Sequence, residues 1–387
     1  MQFARRQLLR FAAAGAGSIL VGPVMALAQA ASDRRFVFII QRGAADGLDT
    51  IIPYGDPGYA RLRGAQAIDP AAAIRLDAHF ALNPAMVEAG RMYQAGQALF
   101  VHATASPYRD RSHFDGQNVL ETGGSHPYAA RDGWMNRLVG LLPRAQDDAI
   151  AFAATVPPAL RGPAEVTSYA PSALPAASDD LLGRVGRMYR SDPELHRLWS
   201  SAIAARGMAG DQPPGQNPAD LGRLAAGFLA RPDGPRIAML ETGGWDTHSA
   251  QQSRLAAQLK ALDIMLAALR DGLGPVWHDT IVVVATEFGR TAASNGTGGT
   301  DHGTAAVAML FGGAVAGGRI VSDWPGLAPA ALYQARDLRP TIGLDAVIAG
   351  VAAETFAIDP HQVGRALFPT MARGAALRGL CAPDVRA

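Results

Sequence analysis

The amino-acid sequence predicts an α/β fold built on a mostly parallel sheet. Four apolar runs have the length and turn-rich flanks of buried parallel strands, namely residues 36–40, 98–101, 237–240 and 281–285. A fifth run at residues 306–311 extends the set. Between the third and fourth runs, five leucines alternate at spacings of four and three, which is typical of a helix with one apolar stripe. They are Leu255, Leu259, Leu262, Leu266 and Leu269. Strand, helix and strand in this order form a β-α-β unit.

The first 30 residues have the pattern of an export signal. Arg5 and Arg6 precede an apolar run over residues 11–28, and small residues allow cleavage after Ala28 or Ala30. Adjacent arginines before a weakly apolar, glycine-containing core are typical of the twin-arginine route, which exports folded proteins. The alternatives are an ordinary secretory signal and a retained N-terminal anchor. We therefore expect a periplasmic protein that uses the twin-arginine export machinery.

Residues 31–387 are expected to form one α/β domain, with an insertion or cap around residues 146–235. The whole chain has 35 Lys and Arg against 34 Asp and Glu, and the export segment holds three arginines and no acid, so the remainder has a net charge of −2. This charge gives no electrostatic support for nucleic-acid binding. No later apolar stretch reaches membrane-spanning length. Cys381 is the single cysteine, which excludes an intramolecular disulfide framework and a cysteine-based zinc site.

Three short polar strings in the C-terminal half carry metal-ligand chemistry. They are residues 244–248, 286–291 and 299–303, and together they supply two histidines and three carboxylates. Asp, Glu and neutral imidazole are the side chains that hold catalytic divalent metals. The first two strings follow the third and fourth predicted strands, and ligands gather where the carboxyl ends of parallel strands run into loops. The sequence therefore predicts a metal site at this edge of the sheet.

Six residues are candidate metal ligands, namely Asp46, Asp246, His248, Glu287, Asp301 and His302. Asp246 and His248 are two residues apart, so both side chains project to the same side of an extended segment. Glu287 follows a buried apolar strand where an unpaired carboxylate would be costly, so it must pair with Arg290 or with a metal. The last two candidates lie in a loop rich in Gly and Thr, where backbone can approach a ligand closely.

Each candidate ligand also has an interpretation without a metal. Asp46 and Gly47 could form a plain Asp-Gly turn after the first strand. The same position also suits a metal-binding carboxylate. Asp246 could help Thr247 to cap the helix that follows, which leaves the nearby histidine unexplained. Asp301 could lie in a simple surface loop.

The loop after the second predicted strand holds a candidate helix N-terminus at Ser112. Residues 112–115 match a capping box, in which the serine hydroxyl accepts from the amide of the third residue. A helix N-terminus also stabilises an anionic nucleophile and a bound phosphate or sulfate. Arg109 and Arg111 could contact such an anion, while His113 could be a surface or core histidine. The chain has no G-x-S-x-G elbow, P-loop or dinucleotide fingerprint.

As a set, these motifs resemble a known family of twin-arginine-exported bacterial proteins, the domain of unknown function 1501. The resemblance runs from Phe36 onward over most of the chain. It rests on the three polar strings and on residues 44–48, 53–56, 112–114, 121–123 and 324–326. The family is placed with the alkaline-phosphatase-like superfamily, which includes sulfatases and cofactor-independent phosphoglycerate mutases. The resemblance implies a three-layer α/β/α sandwich with a mostly parallel central sheet, and one or two metals beside a Ser, Thr or modified Cys nucleophile.

The resemblance also implies roles for individual residues. Asp46 matches the first metal carboxylate of the superfamily and Ser112 its nucleophile, with Thr50 or Thr104 as alternatives. His113 and Arg109 are the further catalytic candidates beside that serine.

The later metal ligands match less completely. Asp246 and His248 look like the later Asp/His pair and His302 like the last histidine, although the usual pair is further apart. Glu287 stands where an Asp-His pair usually occurs, and Phe288 occupies the place of its histidine, which leaves one metal site incomplete.

These observations predict a periplasmic hydrolase of phosphate or sulfate esters. One or two divalent ions, of zinc, manganese, calcium or magnesium, are expected to assist a serine nucleophile, and the substrate would be a small-molecule or glycan anionic ester. One alternative is a non-catalytic exported binding or assembly protein that retains the fold. Another is a metal-free serine hydrolase, whose activity chelators would leave unchanged.

Overall fold

The structure is a computed structural model. It describes residues 33–143, 149–170, 179–209, 217–372 and 374–383. The predicted export segment, with both of its cleavage sites, lies outside the described residues. Within the described ranges, no helix is both long enough and apolar enough to cross a membrane.

The strands form a nine-stranded central sheet and a small three-stranded one. In chain order, they are β1 (Arg35–Gln41), β2 (Ile51–Ile52), β3 (Ile74–Arg75), β4 (Ala81–Leu82), β5 (Ala98–Ala105), β6 (Ala149–Ala151), β7 (Thr167–Ser168), β8 (Ile237–Thr242), β9 (Thr280–Thr286), β10 (Ala306–Phe311), β11 (Arg319–Val321) and β12 (Ile342–Gly343). All five apolar runs found in the sequence are strands of the central sheet.

The central sheet has the order β11-β5-β10-β9-β1-β8-β6-β7. The short strand β12 pairs with the carboxyl end of β5. β1 is parallel to β8 and β9, and β6 is parallel to β7 and β8. β5 is parallel to β11 and β12. β10 is antiparallel to both β5 and β9. It runs against the others because the connection from β9 to β10 contains no crossover helix and returns the chain at the same edge of the sheet.

Helices cover both faces of the central sheet. In chain order, they are α1 (Gly47–Thr50), α2 (Pro57–Arg63), α3 (Val87–Gln94), α4 (His113–Thr122), α5 (Trp134–Val139), α6 (Asp179–Tyr189), α7 (Pro193–Ala209), α8 (Pro218–Leu229), α9 (Gln251–Leu273), α10 (Leu344–Phe356) and α11 (Pro360–Leu367). The five leucines predicted to form an apolar stripe lie in α9, and all are buried.

Strand β1 shows why the sheet strands are apolar throughout. Phe36, Phe38 and Ile40 pack into a core shared with α5, α10 and α11. Val37 and Ile39 point to the opposite face, where they share a second core with α3, α8 and α9. A strand buried on both faces needs an uninterrupted apolar run rather than an alternating one. The predicted three-layer α/β/α sandwich with a mostly parallel central sheet is therefore confirmed.

The segment predicted as an insertion or cap, residues 146–235, contributes to two layers of the fold. β6 pairs with β8, and β7 pairs with β6, so both extend the central sheet at one edge. α8 packs along α9 in the second helical layer. The assignment of this segment as an insertion stays a prediction.

His102 is a fully buried histidine in β5. Its Nε2 lies 2.9 Å from the carbonyl of Ile51 and donates to it, while its Nδ1 accepts from the amide of Ala103 at 2.8 Å. Phe80 and Trp324 pack against the ring. Burial lowers the pKa of His102 from 6.5 to about 4, so the folded protein holds a neutral imidazole there.

Stability is expected to fall in acid because of His102. Between pH 6.5 and 4 the unfolded chain binds a proton at this residue and the folded chain does not, so the free energy of unfolding should decrease by about 3 kcal/mol across this window. Urea denaturation at a series of pH values measures the loss. A His102→Gln variant should show a shallower pH dependence, and His361→Gln, at an exposed position, should not. Equal slopes for the wild type and His102→Gln would contradict this assignment.

Candidate metal centre

The candidate site lies at the edge where the carboxyl ends of β1, β5, β8 and β9 meet the amino end of β10. These four strands are mutually parallel, so the loops that follow them converge. The loop after β5 leads into α4 at His113, and the loop after β8 carries Asp246 and His248. The connection from β9 to β10 carries Glu287 and His302.

Three histidines converge on the carboxylate of Asp246. His113, Asp246 and His302 each offer one ligand atom, and these atoms lie within 4.8 Å of one another. Nε2 of His113 is 3.4 Å from Oδ2 of Asp246, and Nε2 of His302 is 3.3 Å from Oδ1. His248 places its Nε2 3.0 Å from the same Oδ1 and 3.0 Å from Nε2 of His302. We call these four residues the His-Asp cluster.

Each imidazole of the His-Asp cluster donates through Nδ1 to an acceptor behind it. The three pairs are His113 with Oε1 of Glu287 at 2.8 Å, His248 with Oδ1 of Asp301 at 3.2 Å, and His302 with the carbonyl of Arg111 at 3.0 Å. A neutral histidine that donates through Nδ1 carries its lone pair on Nε2. Carboxylates and carbonyls fix the ring orientation of metal-binding histidines in the same way.

The His-Asp cluster brings electron-rich atoms unusually close together. His248 and His302 face each other through Nε2 atoms that both carry lone pairs in the neutral state, and Oδ1 of Asp246 lies beside them. Atoms of this kind at about 3 Å repel one another unless a proton or a cation lies between them. In addition, Nε2 of His113 is buried without a hydrogen-bond partner. This donor set fits a divalent metal ion held by imidazole and carboxylate.

The contacts of the His-Asp cluster shift the pKa values of its members. The hydrogen bond to Glu287 raises the pKa of His113. Burial lowers the pKa of His302, and the neighbouring His113 lowers it further. Burial by itself would raise the pKa of Glu287, but hydrogen bonds from His113, Gln117 and the Gly43 amide outweigh burial and lower it. At neutral pH, His302 is therefore neutral and Glu287 is ionised.

Arg290 is a buried cation beside Asp246. Its Nη1 donates to Oδ1 of Asp246 at 2.6 Å, and its Nε and Nη2 donate to the hydroxyl and carbonyl of Thr300. Burial would raise the pKa of Asp246, but the hydrogen bond and charge of Arg290 lower it. His113, Gln117 and the Gly43 amide, rather than Arg290, donate hydrogen bonds to Glu287. The assignment of Glu287 as a direct metal ligand stays a prediction.

The structure places five of the six predicted ligands in two groups. Asp246, His248 and His302 lie in the His-Asp cluster, and they are joined there by His113, which the sequence placed among the catalytic candidates. Glu287 and Asp301 lie behind the imidazoles as hydrogen-bond acceptors. Sequence spacing could not separate these groups, because the distinction depends on which nitrogen of each ring faces the centre.

Asp46 lies outside the His-Asp cluster. Its carboxylate forms a buried ion pair with Arg63, with contacts of 2.6 and 2.9 Å, and accepts a hydrogen bond from Gln251 at 2.6 Å. It also caps α1 by accepting from the amides of Leu48 and Asp49. Neither Arg63 nor Gln251 belongs to a motif that the sequence marks, and the signal that could have found them is only the need of a buried carboxylate for a partner.

Ser112 is the N-cap residue of α4, directly before His113. The predicted capping-box hydrogen bond is absent, and the serine side chain makes no other cap hydrogen bond to α4. Arg109, the other catalytic candidate, donates to the carbonyls of Ser106 and Tyr108, which ties it to the loop before α4. Arg111 pairs with the buried Asp337 at 2.8 Å and so does not reach out as an anion contact.

The two alternative nucleophiles are less accessible. Thr50 is buried, and its hydroxyl donates to the carbonyl of Asp46 at 2.6 Å. Thr104 is also buried and donates to the carbonyl of Ala306 at 3.3 Å. A hydroxyl that is buried and already bonded to a carbonyl is poorly placed to attack a substrate.

Phe288 forms an apolar wall beside the His-Asp cluster. Its ring stacks on His113, with centroids 5.1 Å apart and an interplanar angle of 23°. It also approaches His302 at 5.4 Å, and it packs with Ala44, Tyr108 and Val119. The residue that stands where the family resemblance expected a histidine therefore fixes the ring plane of a neighbouring histidine.

Replacing Glu287 with glutamine is expected to weaken metal binding by about 10- to 100-fold, because outer acceptors tune the basicity and orientation of their histidines. Glutamine keeps an oxygen for the His113 Nδ1 proton but removes the charge. Titration with Zn²⁺, followed by isothermal calorimetry, measures the loss. Glu354→Gln, which alters a carboxylate that accepts from the amides of Leu380 and Cys381, is the control. An unchanged affinity in Glu287→Gln would remove Glu287 from the site.

Comparisons with known proteins place the chain in a family. The family model described as Protein of unknown function (DUF1501) matches residues 33–367. Among curated proteins, no sequence matches the chain.

Similar solved structures include sulfatases and a phosphonate hydrolase. The structure of Ps i-CgsB is 14% identical, with 86% of this chain and 74% of that chain covered and a TM-score of 0.41. The phosphonate monoester hydrolase of Agrobacterium radiobacter is 14% identical, with 76% and 72% covered and a TM-score of 0.33. A putative sulfatase from Bacteroides thetaiotaomicron VPI-5482 is 10% identical, with 89% and 73% covered and a TM-score of 0.36.

At these identities and TM-scores, the similar structures carry no argument about the activity of this chain. The family match is of a different kind, because it covers nearly all of the residues from β1 to the end of α11. The chain belongs to the DUF1501 family.

Proposed function

We propose that this protein is a metal-dependent hydrolase of phosphate or sulfate esters, with one divalent ion held by the His-Asp cluster. The observation that carries the proposal is the approach of the Nε2 atoms of His248 and His302 to 3.0 Å beside the Asp246 carboxylate. Three imidazoles with one carboxylate favour zinc, or manganese, over calcium and magnesium, which prefer oxygen ligands throughout. The contacts of Ser112 and Arg109 support the roles that we assign to the residues of the chain itself.

A metal bound at this site would supply Lewis-acid stabilisation of the charge that develops on the ester oxygens. The chain supplies the nucleophile, which we assign to Ser112. Its hydroxyl makes no cap hydrogen bond, and it lies at the N-terminus of α4, where the partial positive charge of the helix favours an anionic group. Arg109 acts as a positioning residue, because its bonds to two carbonyls hold the loop that carries Ser112.

The substrate class and the location of the protein complete the proposal. We assign a small-molecule or glycan ester as substrate, because the N-terminus of α4 at Ser112 favours an anionic group. The net charge of −2 after the export segment gives no support for nucleic-acid binding. Export by the twin-arginine machinery to the periplasm rests on residues 1–30 of the sequence.

A non-catalytic binding protein is the second candidate. Phe288 favours it, because this ring covers one side of His113 and has no polar side-chain atom that could hold a ligand. Such a protein would hold the ion and hydrolyse no ester.

Elemental analysis followed by an ester assay tests the proposal. We expect the purified protein to contain zinc or manganese, and a panel of phosphate and sulfate esters assayed with zinc, manganese, calcium and magnesium to reveal a hydrolysed class. Bound metal without hydrolysis would favour the binding protein. Hydrolysis that survives complete chelation would point to a metal-free serine hydrolase, and a protein that neither binds metal nor turns over any ester would end the proposal.

A further inference from the structure

We infer that Arg63 takes the position of a second cation, so that the carboxylates of Asp46 and Asp49 bind no metal ion. The charge of this acidic pair is thus neutralised by a side chain of the protein itself, not by a metal ion. Together with the proposed function, on which this count rests, the inference gives one metal ion per chain, at the His-Asp cluster. It concerns Asp46, the residue that the sequence ranked among the metal ligands.

The guanidinium of Arg63 contacts both carboxylates directly. Nη1 of Arg63 is 2.6 Å from Oδ2 of Asp46 and 3.3 Å from Oδ2 of Asp49, and Nη2 is 2.9 Å from Oδ1 of Asp46. All three side chains are at most 2% exposed. Two buried carboxylates this close need a cation between them, and a planar guanidinium can satisfy both.

The carboxylate oxygens of this pair have further donors. Oδ1 of Asp46 accepts from the amides of Leu48 and Asp49, and the Gln251 amide donates to Oδ2 of both aspartates at 2.6 and 2.8 Å. Oδ1 of Asp49 accepts from the hydroxyl of Tyr59 at 2.9 Å. Every carboxylate oxygen is therefore engaged. In the His-Asp cluster, by contrast, the buried Nε2 of His113 has only the Asp246 carboxylate nearby, at the long distance of 3.4 Å, and no well-formed hydrogen bond.

Arg63 stays protonated in this environment. Burial by itself would lower the pKa of Arg63, but attraction to Asp46 and Asp49 outweighs burial and raises the pKa above its ordinary value. An arginine is protonated at every physiological pH in any case. The cation is thus permanent, and a metal ion could reach the two carboxylates only by displacing a buried guanidinium whose Nη1 and Nη2 contact them.

A chain of hydrogen bonds joins this buried pair to the His-Asp cluster. Because Gln251 donates its amide to the aspartates, its Oε1 accepts from the hydroxyl of Thr300. That hydroxyl in turn accepts from Arg290 at 3.1 Å, and Arg290 donates to Asp246 at 2.6 Å. Arg63 is accordingly a positioning residue as well, since it holds the end of a network that orients Asp246.

Counting bound metal ions tests the inference without any assay of activity. The purified protein is loaded separately with Zn²⁺ and Mn²⁺, and native mass spectrometry gives the number of ions per chain. We expect one ion in the wild type, one in Asp46→Asn and none in Asp246→Asn. In Arg63→Met, which removes the cation and keeps an unbranched side chain, we expect a second ion, and Arg63→Met/Asp46→Asn should lose it again.

Thermal unfolding of the same variants provides a second measurement. Added Mn²⁺ should raise the Tm of Arg63→Met more than that of the wild type, because only the variant exposes an unneutralised acidic pair to the ion. If Arg63→Met does not fold, the comparison of the wild type with Asp46→Asn still decides the question. Two ions in the wild type and one in Asp46→Asn would overturn the inference, as would a folded Arg63→Met that takes no additional ion.

The two proposals fail in different ways. A wild type without any bound ion, combined with one ion in Arg63→Met that disappears in the double variant, supports the role of Arg63 and overturns the metal centre of the proposed function. One ion in the wild type that Asp46→Asn removes would instead place the metal at Asp46, and this outcome contradicts both.

Discussion

Replacing Asp246 with alanine is expected to abolish stoichiometric metal binding, with a loss of affinity of roughly 100-fold or more, beyond that of an outer acceptor. Asp246 is the anionic member of the His-Asp cluster, and all three histidines place Nε2 within 3.4 Å of its carboxylate. Without this charge, three imidazoles and the nearby Arg290 cation would face an incoming divalent ion, and the remaining carboxylates, Glu287 and Asp301, lie behind the imidazoles.

The metal content of Asp246→Ala after dialysis, measured by elemental analysis, checks this expectation. Asp233→Ala is the matched control, because Asp233 is an exposed aspartate that pairs with Arg231 on the surface. Asp246→Ala also removes the carboxylate partner of the buried Arg290, so the fold of this variant must be verified by circular dichroism. Full metal occupancy in a folded Asp246→Ala would mean that the His-Asp cluster is not the metal site.

Replacing Ser112 with alanine is expected to reduce kcat on any ester that the wild type hydrolyses by on the order of 10³-fold or more, as for removal of a nucleophile. The metal content should stay at the wild-type level, because the His-Asp cluster consists of three imidazoles and one carboxylate and does not include the serine. This combination separates a nucleophile from a metal ligand.

The alternative nucleophiles provide the controls for Ser112. Thr50→Val and Thr104→Val each remove a buried hydroxyl that donates to a carbonyl, and both should lower stability more than kcat. Steady-state kinetics and thermal unfolding of the three variants measure the difference. If Ser112→Ala keeps its turnover while a threonine variant loses it, the nucleophile is the threonine.

Glycines allow the site loops to approach one another closely. A Cβ on Gly43, whose φ is +121°, would lie 2.7 Å from the backbone nitrogen of Asp246, and one on Gly299 would lie 2.2 Å from the backbone of His248. The loops after β1, β8 and β9 thus touch backbone to backbone. The glycines in the polar strings are explained by this packing, which brings the ligands of different loops to one point.

Much of the fold follows from local patterns. The apolar runs predict the strands of the central sheet because both faces of that sheet are covered, and the leucine spacing predicts α9 because one face of that helix is buried. The same patterns place Asp246, His248 and His302 at the carboxyl edge of the sheet, since the polar loops come directly after parallel strands. The direction of β10 could not be predicted, because an apolar run of six residues has the same composition in either direction.

Tertiary structure decided the role of each acidic residue. Asp46, Asp246, Glu287 and Asp301 all follow strands or lie in polar loops, so the sequence treated them alike. The fold gives one of them to Arg63, two of them to imidazole Nδ1 atoms, and one to the His-Asp cluster. The sequence by itself therefore determined that polar loops of several strands meet at this edge, because the positions of the apolar runs and of the polar residues after them are local patterns. Only the three-dimensional contacts decided which carboxylates remain available to a metal, because that depends on buried partners such as Arg63, which lies 17 positions away from Asp46 in the chain.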